Sequence, residues 1–129
     1  MSANDNGIAV DRDAFVERAV AALRADPKRT WTVAALARVA GLSRAPFARR
    51  FRHATGTSPR RWLIAYRIEL AREHLAKGEP TLEQVADLVG YASEFAFSKA
   101  FTRIVGMPPG VYRRIARSRI DHGTFRAAA

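Results

Sequence analysis

An all-α fold built from two copies of one helical unit is what this sequence predicts, and three observations predict it. The segment from Gly90 to Arg114, GYASEFAFSKAFTRIVGMPPGVYRR, restates the segment that begins at Gly41, GLSRAPFARRFRHATGTSPRRWL. In both copies apolar residues recur at helical spacing between Gly and Pro punctuation. No stretch carries the period-2 alternation of a half-buried strand.

The repeat is close to residue by residue. Thr32 pairs with Thr81, Leu36 with Val85, Ala37 with Ala86 and Gly41 with Gly90, all at an offset of 49. From Ser43 and Ser93 onward the offset is 50: Phe47 pairs with Phe97, Arg49 with Lys99, Phe51 with Phe101, Gly56 with Gly106, Pro59 with Pro109 and Trp62 with Tyr112. The second copy therefore carries one extra residue, near Ala92. Two copies are too few for a solenoid, which buries its faces by stacking three or more repeats. A duplicated supersecondary unit is the better reading.

Taken in order, residues 1–10 read as a polar, disordered arm. From Asp13, Phe15, Ala19, Val20 and Leu23 recur at helical spacing, and Pro27 closes a first helix. Thr32 and Thr81 are N-cap candidates for short helices, and Gln84 stands at the capping-box distance from Thr81. Gly41 and Gly90 end those helices where the backbone needs a positive φ. Ser43 and Ser93 cap the next helices, with Pro46 in the first turn of the earlier one, where a missing N–H costs little. Phe47 and Phe51, like Phe97 and Phe101, are i,i+4 partners facing a core, and Gly56 and Gly106 stop those helices. Pro59 and Pro109 start the next ones. Between Arg60 and Ala76 there is no Gly or Pro. Leu63, Tyr66, Leu70, Ala71, His74 and Leu75 form one apolar stripe there, on a rod of roughly 25–28 Å that Gly78 and Pro80 close. Trp31, Trp62, Tyr66 and Tyr112 read as core and helix-junction residues. The predicted organisation is an arm at 1–10, a first subdomain at 11–58, a linker helix at 59–78, a second subdomain at 79–118, and a frayed tail at 119–129.

A short helix, a Gly turn and a second helix with only one apolar face make a helix-turn-helix arrangement. The small residues Ala37 and Ala86 let the two helices cross closely. The free face of the second helix suits the major groove of DNA. In the first copy that face offers Arg44, Ala45, Ala48, Arg49 and Arg52, and Arg44 and Arg49 have the fork that pairs with guanine O6 and N7. In the second copy it offers Glu94, Phe95, Ala96, Ser98 and Lys99. Glu94 can accept from a cytosine amino group, and Phe95 and Ala96 can touch thymine methyls.

Charge agrees with this division. The 129 residues carry a net charge of +10, with 22 Lys and Arg, of which 19 are Arg. Such an excess calls for a polyanionic partner, nucleic acid or anionic membrane, unless it is a solubilising surface. From Arg44 to Arg72 there are eight Arg and one acid; from Glu79 to Ser98, four acids and no Lys or Arg; from Lys99 to Arg119, six basic residues and no acid. Ser43, Arg52, Arg60, Arg61, Ser93, Arg103, Arg113 and Arg114 are the candidates for phosphate contacts, which position without specifying sequence. Arg67 is open between a DNA contact and a buried partner of Glu69, Asp87 or a helix end.

The other classes are weaker. There is no Cys, which removes disulfides, thiolate zinc sites and cysteine nucleophiles. His53, His74 and His122 have no metal-ligand spacing. No activated nucleophile, phosphate-cradling Gly loop or carboxylate pair points to catalysis, and no cofactor is expected. The first 30 residues lack an uninterrupted apolar run, and nothing approaches a membrane-spanning length. A soluble, cytoplasmic protein that is not an enzyme is the expectation.

The stretches WTVAALARVAGLSRAPFARRFRHATGTSPRRWLIAYRIELAREHL and TLEQVADLVGYASEFAFSKAFTRIVGMPPGVYRR resemble the DNA-binding domain of the AraC/XylS family of bacterial transcription regulators. The resemblance covers about Pro27 to Ala116 and is most specific at Ala86, Gly90, Tyr91, Ser93, Phe97, Ser98, Phe101, Gly106, Pro109, Tyr112 and Arg113. It implies a seven-helix, double helix-turn-helix domain: two three-helix subdomains joined by a long central helix. It also implies a double-stranded DNA partner, read as a monomer in two successive major grooves, with RNA polymerase recruited, usually for activation. Most members carry an N-terminal effector or dimerisation domain, and about 27 residues precede the match here. The chain thus resembles a stand-alone member or a domain cut from a longer protein, and Met1 favours the former. Pro46 and Glu94 depart from the pattern. Pro46 is expected to shift the start of its helix, and Glu94 either to weaken binding by the second copy or to make it contribute specificity rather than affinity. The competing expectation is a basic adaptor that binds nucleic acid or acidic proteins without sequence preference.

Overall fold

A computed structural model of the chain describes residues 13–78 and 80–128. Among these there are seven helices and no strand: α1 (Ala14–Ala25), α2 (Val33–Ala40), α3 (Arg44–Thr55), α4 (Pro59–Lys77), α5 (Leu82–Leu88), α6 (Glu94–Val105) and α7 (Pro109–Ala128). The predicted arm at 1–10 lies outside the described residues.

Local chemistry sets most of the boundaries. The Asp13 carboxylate accepts from the N–H groups of Phe15 and Val16 and so opens α1. Thr32 Oγ accepts from Ala35 N–H at 3.0 Å and opens α2. The capping box of α5 is complete: Gln84 N–H donates to Thr81 Oγ at 3.1 Å, and Thr81 N–H to Gln84 Oε1 at 2.8 Å. Gly41 and Gly90 have φ of +85° and +100°. In the first turn Gly41 N–H donates to Arg38 O and Leu42 N–H to Ala37 O; in the second, Gly90 N–H donates to Asp87 O and Tyr91 N–H to Ala86 O. The two turns thus match through Tyr91, and the extra residue of the second copy is Ala92, which follows the shared geometry.

The chain divides into two compact units, one ending at Leu63 and the other beginning at Ile64. In the first, Val16, Ala19 and Leu23 of α1, Leu36, Ala37 and Ala40 of α2, Phe47 and Phe51 of α3, and Leu63 form one buried cluster. In the second, Ile68, Ala71 and Leu75 of α4 pack with Val85, Ala86, Val89, Phe97, Ala100 and Phe101. The duplication reaches the rings. Phe47 and Phe51 lie 5.6 Å apart, Phe97 and Phe101 5.7 Å apart. Phe51 meets Trp62 edge-on at 6.2 Å, and Phe101 meets Tyr112 in the same way at 5.5 Å.

Four details differ from the sequence reading. The residues placed in the tail at 119–129 continue α7 as far as Ala128, because after Gly110 in the first turn the helix meets no proline and only the single Gly123. The division between the units falls inside α4 rather than at its ends, since α4 supplies Leu63 to one core and Ile68, Ala71 and Leu75 to the other. Ile68, left out of the predicted stripe, is among the most buried residues of α4, whereas Tyr66, Leu70 and His74 are half-buried. Ser93 Oγ accepts from Ala96 N–H at 3.1 Å, but Ser43, at the equivalent position, makes no side-chain capping bond. The reason is Pro46. It occupies the third helical position of α3, where the matching residue of α6 is Ala96, and proline has no N–H to give.

Candidate nucleic-acid interface

The α3 helix is two-sided. Phe47 and Phe51 are fully buried, while Arg44, Ala45, Arg49 and Arg52 are exposed and Ala48 is half-buried. The α6 helix repeats this: Phe97 and Phe101 are buried, Glu94, Phe95 and Lys99 exposed, and Ala96 and Ser98 half-buried. The α3 set lies on one side because residues at i, i+1, i+4, i+5 and i+8 share a face; Glu94, Phe95, Ser98 and Lys99 repeat the first four of these positions, and Ala96 stands two residues after Glu94. Phe95 is 74% exposed, a large apolar ring with no core to fill. The Lys99 ammonium lies 5.7 Å from its centre, so the aromatic surface and the charge form one unit.

Of the phosphate candidates, Ser43, Arg52, Arg60, Arg61, Ser93, Arg103 and Arg114 are exposed. Arg113 is placed differently: it is half-buried, and its guanidinium donates to the Pro80 carbonyl. It ties α7 to the segment that follows α4, so its hydrogen-bonding capacity is spent in part inside the fold. Arg67 is also half-buried and lies over the Tyr91 ring at 5.8 Å. Burial pushes the Arg67 guanidinium down from its ordinary value, with the Tyr91 oxygen opposing, and pushes the Tyr91 phenol up, with the Arg67 charge opposing.

Sequence reasoning missed the frame that holds α3. Arg50 Nε donates to Asp13 Oδ2 at 2.9 Å, and the Arg50 guanidinium lies 4.7 Å from the centre of the Phe15 ring. Arg18 lies over the same ring at 5.1 Å and donates to Ala40 O at the end of α2 at 2.9 Å. Three helices of the first unit are thus joined around one phenylalanine. Arg50 faces this frame while its sequence neighbour Arg49 is exposed elsewhere on the helix. The signal was available in the i,i+3 pairing of Phe15 and Arg18, but nothing local announces Asp13 and Arg50, which are 37 residues apart.

Two compact units, each with a short helix, a Gly turn and a second helix that shows a charged or aromatic face, define a double helix-turn-helix domain. Residues 36–115 match the sequence model of a family described as a helix-turn-helix domain, and the chain belongs to that family, in its AraC type. A putative AraC-like transcription regulator of Streptomyces lividans is 48% identical over 102 residues, covering 79% of this chain and 34% of that protein. The transcriptional activator RclR of Escherichia coli K12, described as RCS-specific, is 42% identical over 91 residues, 70% of this chain and 32% of its own. The chain therefore spans about a third of the length of these relatives. In three dimensions it is similar to the DNA-binding domain of AdpA, a global transcriptional factor solved in complex with a target DNA, with a TM-score of 0.80 and 34% identity over 87% of this chain and 100% of that one. Among the described residues no group of His, Asp and Glu is gathered for a metal, and no helix is long and apolar enough to cross a membrane.

Proposed function

We propose that this chain is a sequence-specific, double-stranded DNA-binding module of a transcription regulator, with α3 and α6 as the helices that enter two successive major grooves. The observation that carries the reading is the repeated division of the second helix: paired phenylalanines buried on one face, and charged or aromatic side chains exposed on the other. The solved relative bound to its target DNA supports the same use of the fold. Arg44, Ala45, Ala48 and Arg49 read bases in one groove, and Glu94, Phe95, Ala96, Ser98 and Lys99 in the other. Ser43, Ser93, Arg52, Arg60, Arg61, Arg103 and Arg114 hold phosphates. Arg113 acts mainly as an internal clamp. The module works as a monomer on an asymmetric site, in the cytoplasm, and promotes transcription by recruiting RNA polymerase. Its role is binding, with no chemical step.

Selection from randomised duplexes tests this. A reader of sequence enriches one motif and binds it about a thousandfold or more tighter than random DNA at the same salt. Equal affinity for both, lost steeply and in parallel as salt rises, would instead assign the chain to nonspecific basic adaptors.

A further inference from the structure

The two copies present opposite chemistry at the start of their second helices. In α3 the first two residues are Arg44 and Ala45, both exposed. At the matching positions α6 has Glu94 and Phe95, also exposed. The cation that opens the first face is thus a carboxylate in the second, and the small methyl is an aromatic ring.

Neither change suits a phosphate. Phe95 is 74% exposed, and the Lys99 ammonium one turn on lies 5.7 Å from the ring centre, where its charge is held against the aromatic face. Glu94 shares a surface recess with Glu83 and Asp87, and from Glu79 to Ser98 there is no Lys or Arg. A carboxylate in that setting repels phosphates, and pressing it onto a nucleic acid is costly unless a donor meets it. On the major-groove edge the donors are the amino groups of cytosine and adenine, and the apolar group is the C5 methyl of thymine. Cytosine methylated at C5 offers both side by side, because its N4 amino group and its methyl are carried by neighbouring ring carbons. Adenine has the amino group without a methyl, and thymine has the methyl beside an acceptor oxygen.

We infer that Glu94 and Phe95 together read one 5-methylcytosine, the carboxylate accepting from its N4 amino group and the ring covering its methyl. The inference rests on the DNA-binding reading and deepens it, since it makes binding by the second unit depend on the methylation state of the site. Glu94 and Phe95 are the first two residues of α6, the part of a recognition helix that reaches base edges. The first unit has neither an acceptor nor a ring at these positions, so the sensitivity belongs to one half of the site.

The test uses the duplex that selection from unmethylated DNA yields. Each pyrimidine of it is set in turn to cytosine, 5-methylcytosine or thymine, with the matching complement. For the wild-type chain one position should stand out. There 5-methylcytosine should bind about fourfold tighter than cytosine, the worth of one buried methyl, and tighter than thymine as well. Phe95→Ala should level 5-methylcytosine with cytosine at that position. Glu94→Ala should keep the methyl effect but level 5-methylcytosine with thymine. Both side chains are exposed, and thermal unfolding of each variant checks that the fold persists. Methylation without effect at every position would overturn the inference. So would thymine binding as tightly as 5-methylcytosine to the wild-type chain, or a methyl preference that survives Phe95→Ala. Failure to select any duplex would sink the DNA-reading proposal itself, a separate outcome.

Discussion

The pair Ser43 and Ser93 shows how one neighbour decides what a residue does. Both occupy an N-cap, but only Ser93 finds an N–H three residues on, because Pro46 has none. Replacing Ser93 with Ala should therefore cost the second unit about 0.5–2 kcal/mol, while the same change at Ser43 should cost close to nothing in stability. Hydrogen exchange of α3 and α6 amides would separate the two effects. Asp13 gives a second test. Its side chain is 13% exposed. Burial raises its pKa, but the hydrogen bond and charge of Arg50 and the N–H groups of Val16 and Phe15 outweigh that, leaving the carboxyl below its ordinary value of 3.8. A lowered folded-state pKa means that the stabilisation is in place above the ordinary carboxylate value and is lost as pH falls through the folded-state value. Asn also caps a helix well, so Asp13→Asn isolates the Arg50 pairing. The stability gap between wild type and this variant should be open at neutral pH and close on acidification, as urea unfolding at a series of pH values would record. A gap independent of pH would remove the ion pair from the account.

Among the elements, the turns were the most legible feature and the helix ends the least. Gly41 and Gly90 announced positive φ because no other residue adopts it at so little cost, and the Phe pairs announced the buried face because i,i+4 spacing leaves little other choice. The continuation of α7 was hidden, since the stretch HGTFRAAA resembles a frayed tail and residues 109–128 lack a single long apolar stripe. Arg113 was hidden too: a guanidinium that reaches back to a carbonyl 33 residues away leaves no trace in its local sequence. Which exposed side chains face DNA was legible only as a set of candidates, because exposure is a property of helical register and contact is a property of the partner. The turn itself carries a prediction. A Cβ on Gly41 would meet nothing nearer than Arg18 at 3.8 Å, an ordinary contact, so the penalty for Gly41→Ala is the strained backbone, about 1–2 kcal/mol. Gly41→Asn should cost less, since Asn tolerates the left-handed region. Equal losses for the two, measured by thermal unfolding, would mean that packing rather than φ sets the requirement.

Over the whole molecule, the proposed reading gives the charge of +10 two jobs that experiment can pull apart. Arg49 lies on the exposed face of α3, and Arg61 in the first turn of α4, where the helix backbone already favours an anion. If Arg49 reads a base, Arg49→Ala should cost about 1–3 kcal/mol against the selected site, relax the preference at one or two positions of it, and leave binding to random DNA much less affected. If Arg61 holds a phosphate, Arg61→Ala should weaken selected and random duplexes by the same factor. It should also make the slope of log affinity against log salt shallower by roughly 0.9. The two signatures are independent, because counterion release depends on how many phosphates are neutralised, whereas discrimination depends on which donor meets which base edge. Affinities for both duplexes at four or five salt concentrations, for wild type and both variants, provide the comparison. Two variants that lower both affinities alike and shift the slope alike would mean that the basic surface acts as a single undivided field. The distinction between reading and holding, on which the assignment of α3 and α4 depends, would then have to be given up.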